Sequence, residues 1–294
     1  MLRMKLVRLW PQIFKQIKTA VCVIVKNERN DISEWIAYHL AIGFDTVLLF
    51  DNMSDDDTSS IVDVYARKYD VRRVAWSDTS TYYQVNAYNA ALEMLRQDYD
   101  WLCFIDADEF VLLKHHVSIR EFVADFPSCA AIAVNWAIFG SSGLQQRPDG
   151  LVIENFLQRS DASFAPNRHV KCFVQPRRTN HCVNAHYFEV DGSIVSPLGK
   201  ALNWELPGLS SSMPEYDIAQ INHYFVKSSH QWADKMKRGY HDIKRSVDLF
   251  SLYDRNDVFD KDILSFAPKV HKIMNKLERQ RAALKQDSTI SITL

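Results

Sequence analysis

Residues 101–110 read Trp101-Leu102-Cys103-Phe104-Ile105-Asp106-Ala107-Asp108-Glu109-Phe110, an uncharged apolar run that passes directly into three carboxylates. A short continuous apolar run predicts a strand buried on both faces of a parallel sheet. Acids at its end place charge at a sheet edge, and in open α/β sheets ligands bind outside the carboxyl ends of the strands. The reading of this one stretch therefore decides both the fold and the position of the site.

Two similar runs lie upstream. Ala20-Val-Cys-Val-Ile-Val25 ends in Lys26, Asn27 and Glu28, and Thr46-Val-Leu-Leu-Phe50 ends in Asp51 and Asn52. A helix is expected between them: Asp31 and Glu34 have capping-box spacing, Trp35, Ile36 and Leu40 recur at helical intervals, and Gly43 suits the position after the last turn. A second helix follows the polar loop 54–58, a short strand is expected over Val71–Val74, and Tyr82–Arg96 reads as a third helix. Strands and helices alternating at this spacing predict a doubly wound, mostly parallel Rossmann-like α/β sheet. Three strand ends, carrying Lys26 to Glu28, Asp51 with Asn52, and Asp106 with Asp108, then aim polar side chains at one crevice.

The pair Asp106 and Asp108 has a specific chemistry. Residues two apart on a strand face the same way, and two adjacent carboxylates repel unless a cation or proton lies between them. Carboxylate oxygens suit Mg²⁺ or Mn²⁺, and a metal there offsets charge on a leaving diphosphate. The alternative is a helix cap beside a solvated side chain.

Downstream, Ser118–Phe126 reads as a short helix, Ala130–Trp136 as a strand, and Phe139-Gly-Ser-Ser-Gly143 as a flexible loop. Residues 153–158 read as helix, Val170–Val174 and Asp217–Val226 as strands, and 230–254 and 260–285 as amphipathic helices. No stretch rich in Gly, Pro or Ser cuts the chain. The expected organisation is a basic amphipathic N-terminal helix over 1–19, one domain over 20–229, and a helical extension over 230–294.

With 294 residues, 47% hydrophobic and 24% charged, the composition is that of a globular protein. A net charge of -1 argues against nucleic acid as partner. The five cysteines have no C-x-x-C pair, which disfavours zinc or a disulfide framework and fits a reducing compartment. Residues 1–20 carry five basic and no acidic side chains, with Leu6, Trp10, Ile13 and Ile17 at helical spacing. Such a helix can lie on an anionic membrane surface or pack on its own domain. The expected location is cytoplasmic, with peripheral contact at the inner face of the membrane through residues 1–19.

The ordered set Val25-Lys-Asn-Glu28, Glu34-Trp35, Tyr38-His39, Asp51-Asn-Met-Ser54, Gln84 to Asn89, Phe104-Ile-Asp-Ala-Asp-Glu-Phe110, Phe139 to Gly143 and Ile221-Asn-His-Tyr-Phe-Val-Lys-Ser228 resembles the GT-A-fold glycosyltransferases, in particular their family-2-like and family-92-like groups. It spans about residues 20–240. The resemblance implies metal-dependent, inverting transfer of a sugar from a nucleotide-diphosphate donor, UDP-linked, to a glycan or lipid-linked saccharide, with a bacterial surface polysaccharide or lipopolysaccharide as product. It implies that Asn27, Glu28, Asp51 and Asn52 hold the base and ribose, that Gln84 and Asn89 line the donor pocket, and that His223 completes a Mn²⁺ or Mg²⁺ site with Asp106 and Asp108. Lys227, Lys235 and Arg238 would cover the diphosphate. Glu154 would be the catalytic base, with Asn155 replacing the acid that usually follows. Lys171 and His186 would contact phosphate or acceptor, or serve buried hydrogen bonds, and Trp136 and Phe139 would stack on a sugar or pack in the core.

Two other readings stay open. A haloacid-dehalogenase-type phosphatase also sets D-x-D after an apolar strand, but lacks here a downstream Asp pair. A non-catalytic glycan- or membrane-binding module of the same fold would suit the basic N-terminus.

Overall fold

The computed structural model describes residues 17–238 and 248–290, with side chains described through 237 and 279 of those spans. Residues 1–16 of the expected N-terminal helix and the Arg238 side chain lie outside the described residues. Thr19 belongs to the first strand.

The strands are β1 (Thr19–Val25), β2 (Thr46–Asn52), β3 (Val71–Trp76), β4 (Trp101–Phe104), β5 (Glu109–Leu113), β6 (Ala131–Ile138), β7 (Gln158–Arg159), β8 (Val170–Val174), β9 (Thr179–Asn184), β10 (Tyr187–Val190), β11 (Ile194–Val195), β12 (Trp204–Leu206), β13 (Leu209–Ser210), β14 (Ala219–His223) and β15 (Val258–Phe259). The helices are α1 (Ile32–Ala41), α2 (Thr58–Ala66), α3 (Tyr83–Leu95), α4 (Ile119–Ala124), α5 (Val152–Asn155), α6 (Ser229–Arg238), α7 (Leu249–Tyr253) and α8 (Ala267–Ile290).

The main sheet runs β3-β2-β1-β4-β8-β6-β14-β5, with β11 added to β6. β1 pairs in parallel with β2 and β4, β2 with β3, and β14 with β6. β8 is antiparallel to both β4 and β6, and β5 to β14. The expected α/β sheet is therefore present, with β8 inserted antiparallel between β4 and β6 and β5 antiparallel at the edge. Because β5 and β8 run backwards, their first residues, Glu109 and Val170-Lys171, fall at the same edge as the last residues of β1, β2 and β14.

Alternation sorts β1, β2 and β4 between two cores. Val21, Val23 and Val25 of β1 and Val47 and Leu49 of β2 enter one core, with Trp35 and Ile36 of α1. Ala20, Cys22, Leu48 and Phe50 enter the other, beneath Tyr88, Leu92 and Leu95 of α3. The five cysteines are free and buried. Ile263, Phe266, Val270 and Leu277 join the first core, so the described part of the C-terminal segment is built into the domain. Of the helix expected over 230–254, residues 230–238 and 249–253 are helical, and the helix expected over 260–285 begins as a 3₁₀ turn at Asp262–Phe266.

Several local expectations change. The helix expected at 153–158 is one turn of α5 followed by β7. Asp31 precedes α1 without capping it by its side chain; it pairs instead with Lys227 and with Arg147 at 2.8 Å. Glu34 does not reach back to the cap. Its oxygens accept from the Val152 and Ile153 amides at 2.7 and 3.0 Å, satisfying the start of α5 from another element. Gly43 does end α1, at φ +97°, where an added Cβ would stand 3.2 Å from Ser118 Cβ. The Gly-Ser-Ser-Gly loop is held: Ser141 and Ser142 amides donate to Asp254 and Asn256 side chains at 2.6 and 2.8 Å. A Cβ at Gly140 would lie 2.4 Å from the Arg255 carbonyl oxygen, which is why glycine stands there.

Replacing Glu34 by alanine orphans two buried amide donors, and the loss expected in urea unfolding is about 2–4 kcal/mol. Burial pushes the Glu34 carboxyl up to about 7 from 4.5, against the two amides. The folded chain then keeps a proton that the unfolded chain has released, so this group's contribution falls as pH rises from about 4.5 through 7. The pH dependence of stability in Glu34→Gln is expected to lack that slope.

Candidate active site at the carboxyl edge of the sheet

The acidic motif lies on a turn, not on a strand. β4 ends at Phe104, β5 begins at Glu109, and the Glu109 amide donates to the Asp106 carbonyl at 3.1 Å. Strand alternation therefore does not orient Asp106 and Asp108; the turn does. Trp35, buried on α1, donates its indole N–H to the Asp106 and Glu109 carbonyls at 3.0 and 2.9 Å. The Asp106 amide donates to Glu109 Oε2 at 2.8 Å, and the Tyr224 amide donates to the Asp108 carbonyl at 2.9 Å. These bonds hold both ends of the turn from three directions.

Beneath the turn is a buried ion cluster. Lys171, fully buried on β8, places Nζ 2.9 Å from Asp106 Oδ2 and 3.5 Å from Glu109 Oε2. Burial alone would lower the Lys171 pKa, but Asp106 and Glu109 raise it, so the ammonium stays charged. Burial opposes ionisation of Asp106, yet Lys171 holds its carboxyl below the usual range. Glu109 has no exposure, and burial pushes its carboxyl up to about 7 despite Lys171. Glu109 Oε1 has no hydrogen-bond partner and lies 3.9 Å from His223 Nδ1, also without one. Lys171, expected from the sequence to contact phosphate or acceptor or to serve buried hydrogen bonds, bonds Asp106 at 2.9 Å.

Asp108 faces a different set. Lys235 Nζ on α6 lies 2.8 Å from Oδ2, and His223 Nε2 lies 3.4 Å from Oδ1. Burial opposes its ionisation, but Lys235 and then His223 outweigh it and hold the carboxyl well below the usual range. The expected approach of His223 to the acidic motif is thus present, through Asp108. Among the described residues no group of three or more His, Cys, Asp or Glu is gathered as a metal cluster. Asp108 and His223 offer adjacent oxygen and nitrogen donors, and Asp106 is one-third exposed, so this set can hold a hard divalent cation once Lys235 yields its place.

A crevice of about 440 Å³ opens over the turn. Asn27, Glu28, Asn52, Gln84, Asp106, Asp108, His186, His223 and Lys235 line it, with Trp136 as an apolar wall. Asn52 is held by two bonds to the backbone of Asp78, itself a lining residue not anticipated from sequence. Gln84 donates to Asp106 Oδ1 at 2.6 Å. The Val170 carbonyl takes the His186 Nδ1 side at 3.0 Å, and burial followed by Lys171 pushes this imidazole down to about 3, so it is neutral. A second crevice, about 650 Å³, shares Asn27, Glu28, Asp108 and Lys235 and extends past Lys227 and Arg147.

Other expected residues stand elsewhere. Asp51 accepts from the Ser54 amide at 3.2 Å and from the Ser59 hydroxyl, holding the loop after β2, and lines neither crevice. Asn89 brackets the Cys182 backbone, accepting from its amide at 2.8 Å, so it ties α3 to β9 and lines neither crevice. Lys227 pairs with Asp31 and lines the second crevice only. Glu154 faces His271 at 2.9 Å and lines neither crevice, which removes the geometric basis for its role as base. Phe139 is fully buried against Tyr224, a core contact.

Lys171→Met leaves Glu109 and Asp106 without their buried cation. The expected loss at neutral pH is about 3–5 kcal/mol by urea unfolding. It narrows at acid pH, because Asp106, with its lowered pKa, contributes its share only while ionised.

The sequence profile of glycosyltransferase family 92 matches residues 18–261. A family 92 protein of Ricinus communis is 30% identical over 167 residues, covering 53% of this chain and 28% of the relative. Family 92 proteins of rice and Arabidopsis thaliana are 27% and 26% identical, covering 54% and 58% of this chain and 27% and 31% of theirs. The chain thus spans less than a third of the curated relatives it matches. These relatives are plant proteins and give no support to the bacterial polysaccharide expected above. Among solved structures, TarS of Staphylococcus aureus is 16% identical with a TM-score of 0.36, covering 54% of this chain and 47% of its own. The Mycobacterium tuberculosis glucosyl-3-phosphoglycerate synthase, in complex with Mn²⁺, UDP-glucose and phosphoglyceric acid, is 16% identical with a TM-score of 0.29, covering 42% of this chain and 45% of its own. These two are partial likenesses, and no role is taken from them. On the profile match, which covers most of its length, the chain belongs to glycosyltransferase family 92.

Proposed function

We propose that this chain transfers a sugar from a nucleotide-diphosphate donor, UDP-linked, to a glycan or lipid-linked saccharide, with a divalent metal at Asp106, Asp108 and His223. One observation carries the reading. In a family 92 chain, the acidic turn, the ends of β1 and β2 and a lysine all line one crevice at the carboxyl edge of the sheet. That is the edge where such sheets bind nucleotides.

The residues divide by chemistry. Asn27, Glu28 and Asn52 present amide and carboxylate groups suited to a base and ribose hydroxyls. Asp106 and Asp108 are kept ionised by their cations, as a metal requires. When bound, Mn²⁺ or Mg²⁺ supplies Lewis-acid stabilisation of the leaving diphosphate. Trp136 offers an apolar face beside His186 and His223, with ring centroids 4.9 and 4.4 Å away. The second crevice adjoins Asp108 on the other side and is where an acceptor would approach. Inverting transfer needs a base opposite the leaving group; Glu154 is paired with His271 and lines neither crevice. The membrane contact through residues 1–19 and the location at the inner membrane face remain part of this proposal. No described helix is long and apolar enough to cross a membrane.

Calorimetry with Mn²⁺ and UDP tests the reading directly. Binding of UDP is expected to depend on metal, and Asp108→Asn is expected to abolish that dependence. In a screen of nucleotide sugars, the same variant lowers turnover of the productive donor by about 10²- to 10³-fold. Metal-independent or absent UDP binding by the unmodified chain would reject it.

A further inference from the structure

Lys235 stands where a metal would act. Its ammonium lies 2.8 Å from Asp108 Oδ2 and donates to the Phe225 carbonyl at 3.0 Å. It also sits 4.4 Å from the centroid of the Phe225 ring. It belongs to both crevices, at their shared wall. It projects from α6, a ten-residue helix whose Ala233, Asp234 and Lys237 are exposed and whose Trp232 packs on Phe225. Its side chain is about one-fifth exposed, at the wall shared by the two crevices. By contrast, Lys171 is fully buried and cannot leave Asp106.

We propose that Lys235 is an exchangeable counter-ion: it neutralises Asp108 in the empty enzyme, gives way to the divalent metal, and then pairs with the donor diphosphate. This rests on the metal-dependent reading above. Two cations cannot share one carboxylate edge at contact distance without repulsion, so ammonium and metal compete for Asp108. Lys235 lines the same crevice as Asn27, Asn52 and Asp106, so its ammonium, once displaced from Asp108, stays within the crevice proposed for the donor. One residue therefore weakens metal binding alone and strengthens donor binding to the metal-loaded enzyme. Metal and donor become coupled ligands, each raising the affinity for the other.

The test is titration of the full chain with Mn²⁺ followed by electron paramagnetic resonance of free metal, then of UDP into the metal-loaded protein by calorimetry. Lys235→Met is compared with Lys235→Arg and the unmodified chain. The Met variant is expected to bind Mn²⁺ alone at least about fivefold tighter and UDP at least about fivefold weaker. The Arg variant keeps the unmodified order. Unchanged or weaker Mn²⁺ binding by the Met variant overturns the exchange while leaving the metal site standing. No Mn²⁺ binding by any of the three, in the presence of UDP as well, overturns the metal reading and the exchange with it.

Discussion

The buried ammonium of Lys171 is the constraint on which the site depends. A lysine without exposure is tolerated only beside compensating carboxylates, and Asp106 and Glu109 supply them from the turn between β4 and β5. The lysine reaches that turn because β8 lies antiparallel between β4 and β6, which brings its first residues to the edge where the parallel strands end. Strand order, ion cluster and acidic turn are thus one arrangement. The hydrogen bonds from Trp35 and Tyr224 fix the turn's backbone, while Lys171 fixes its charge.

This arrangement separates two acids that look equivalent in the sequence. Asp106 is tied to a cation that cannot move and to Gln84. Asp108 meets a lysine about one-fifth exposed and His223, and opens to both crevices. A fixed partner below and a replaceable one above let one carboxylate keep the turn in place while the other exchanges ligands.

Much of this was legible in the chain and some was not, for definite reasons. The strands over 19–25, 46–52, 101–104 and 131–138 are built on largely apolar runs, and such runs announce themselves. β5 was missed because its apolar stretch begins inside the acidic motif, at a glutamate that turns out to be fully buried. The central place of β8 depends on pairing across distant segments, which no local pattern encodes. Asp51, Asn89 and Glu154 line neither crevice over the turn. Each is a polar group near the right edge whose partner, Ser59, Cys182 or His271, could be found only in three dimensions. The capping box at Asp31 failed in the same way: both acids were taken by distant partners.

In the proposed reading, the chemistry takes place at the Asp106–Asp108 turn. The most direct measurement is a crystal structure of this chain grown with Mn²⁺ and UDP, with anomalous diffraction to locate the metal. The account predicts an anomalous peak between Asp108 and His223, with the diphosphate beside it and the nucleoside toward Asn27 and Asn52. UDP bound away from this crevice, or bound within it with no metal at Asp108, would contradict it.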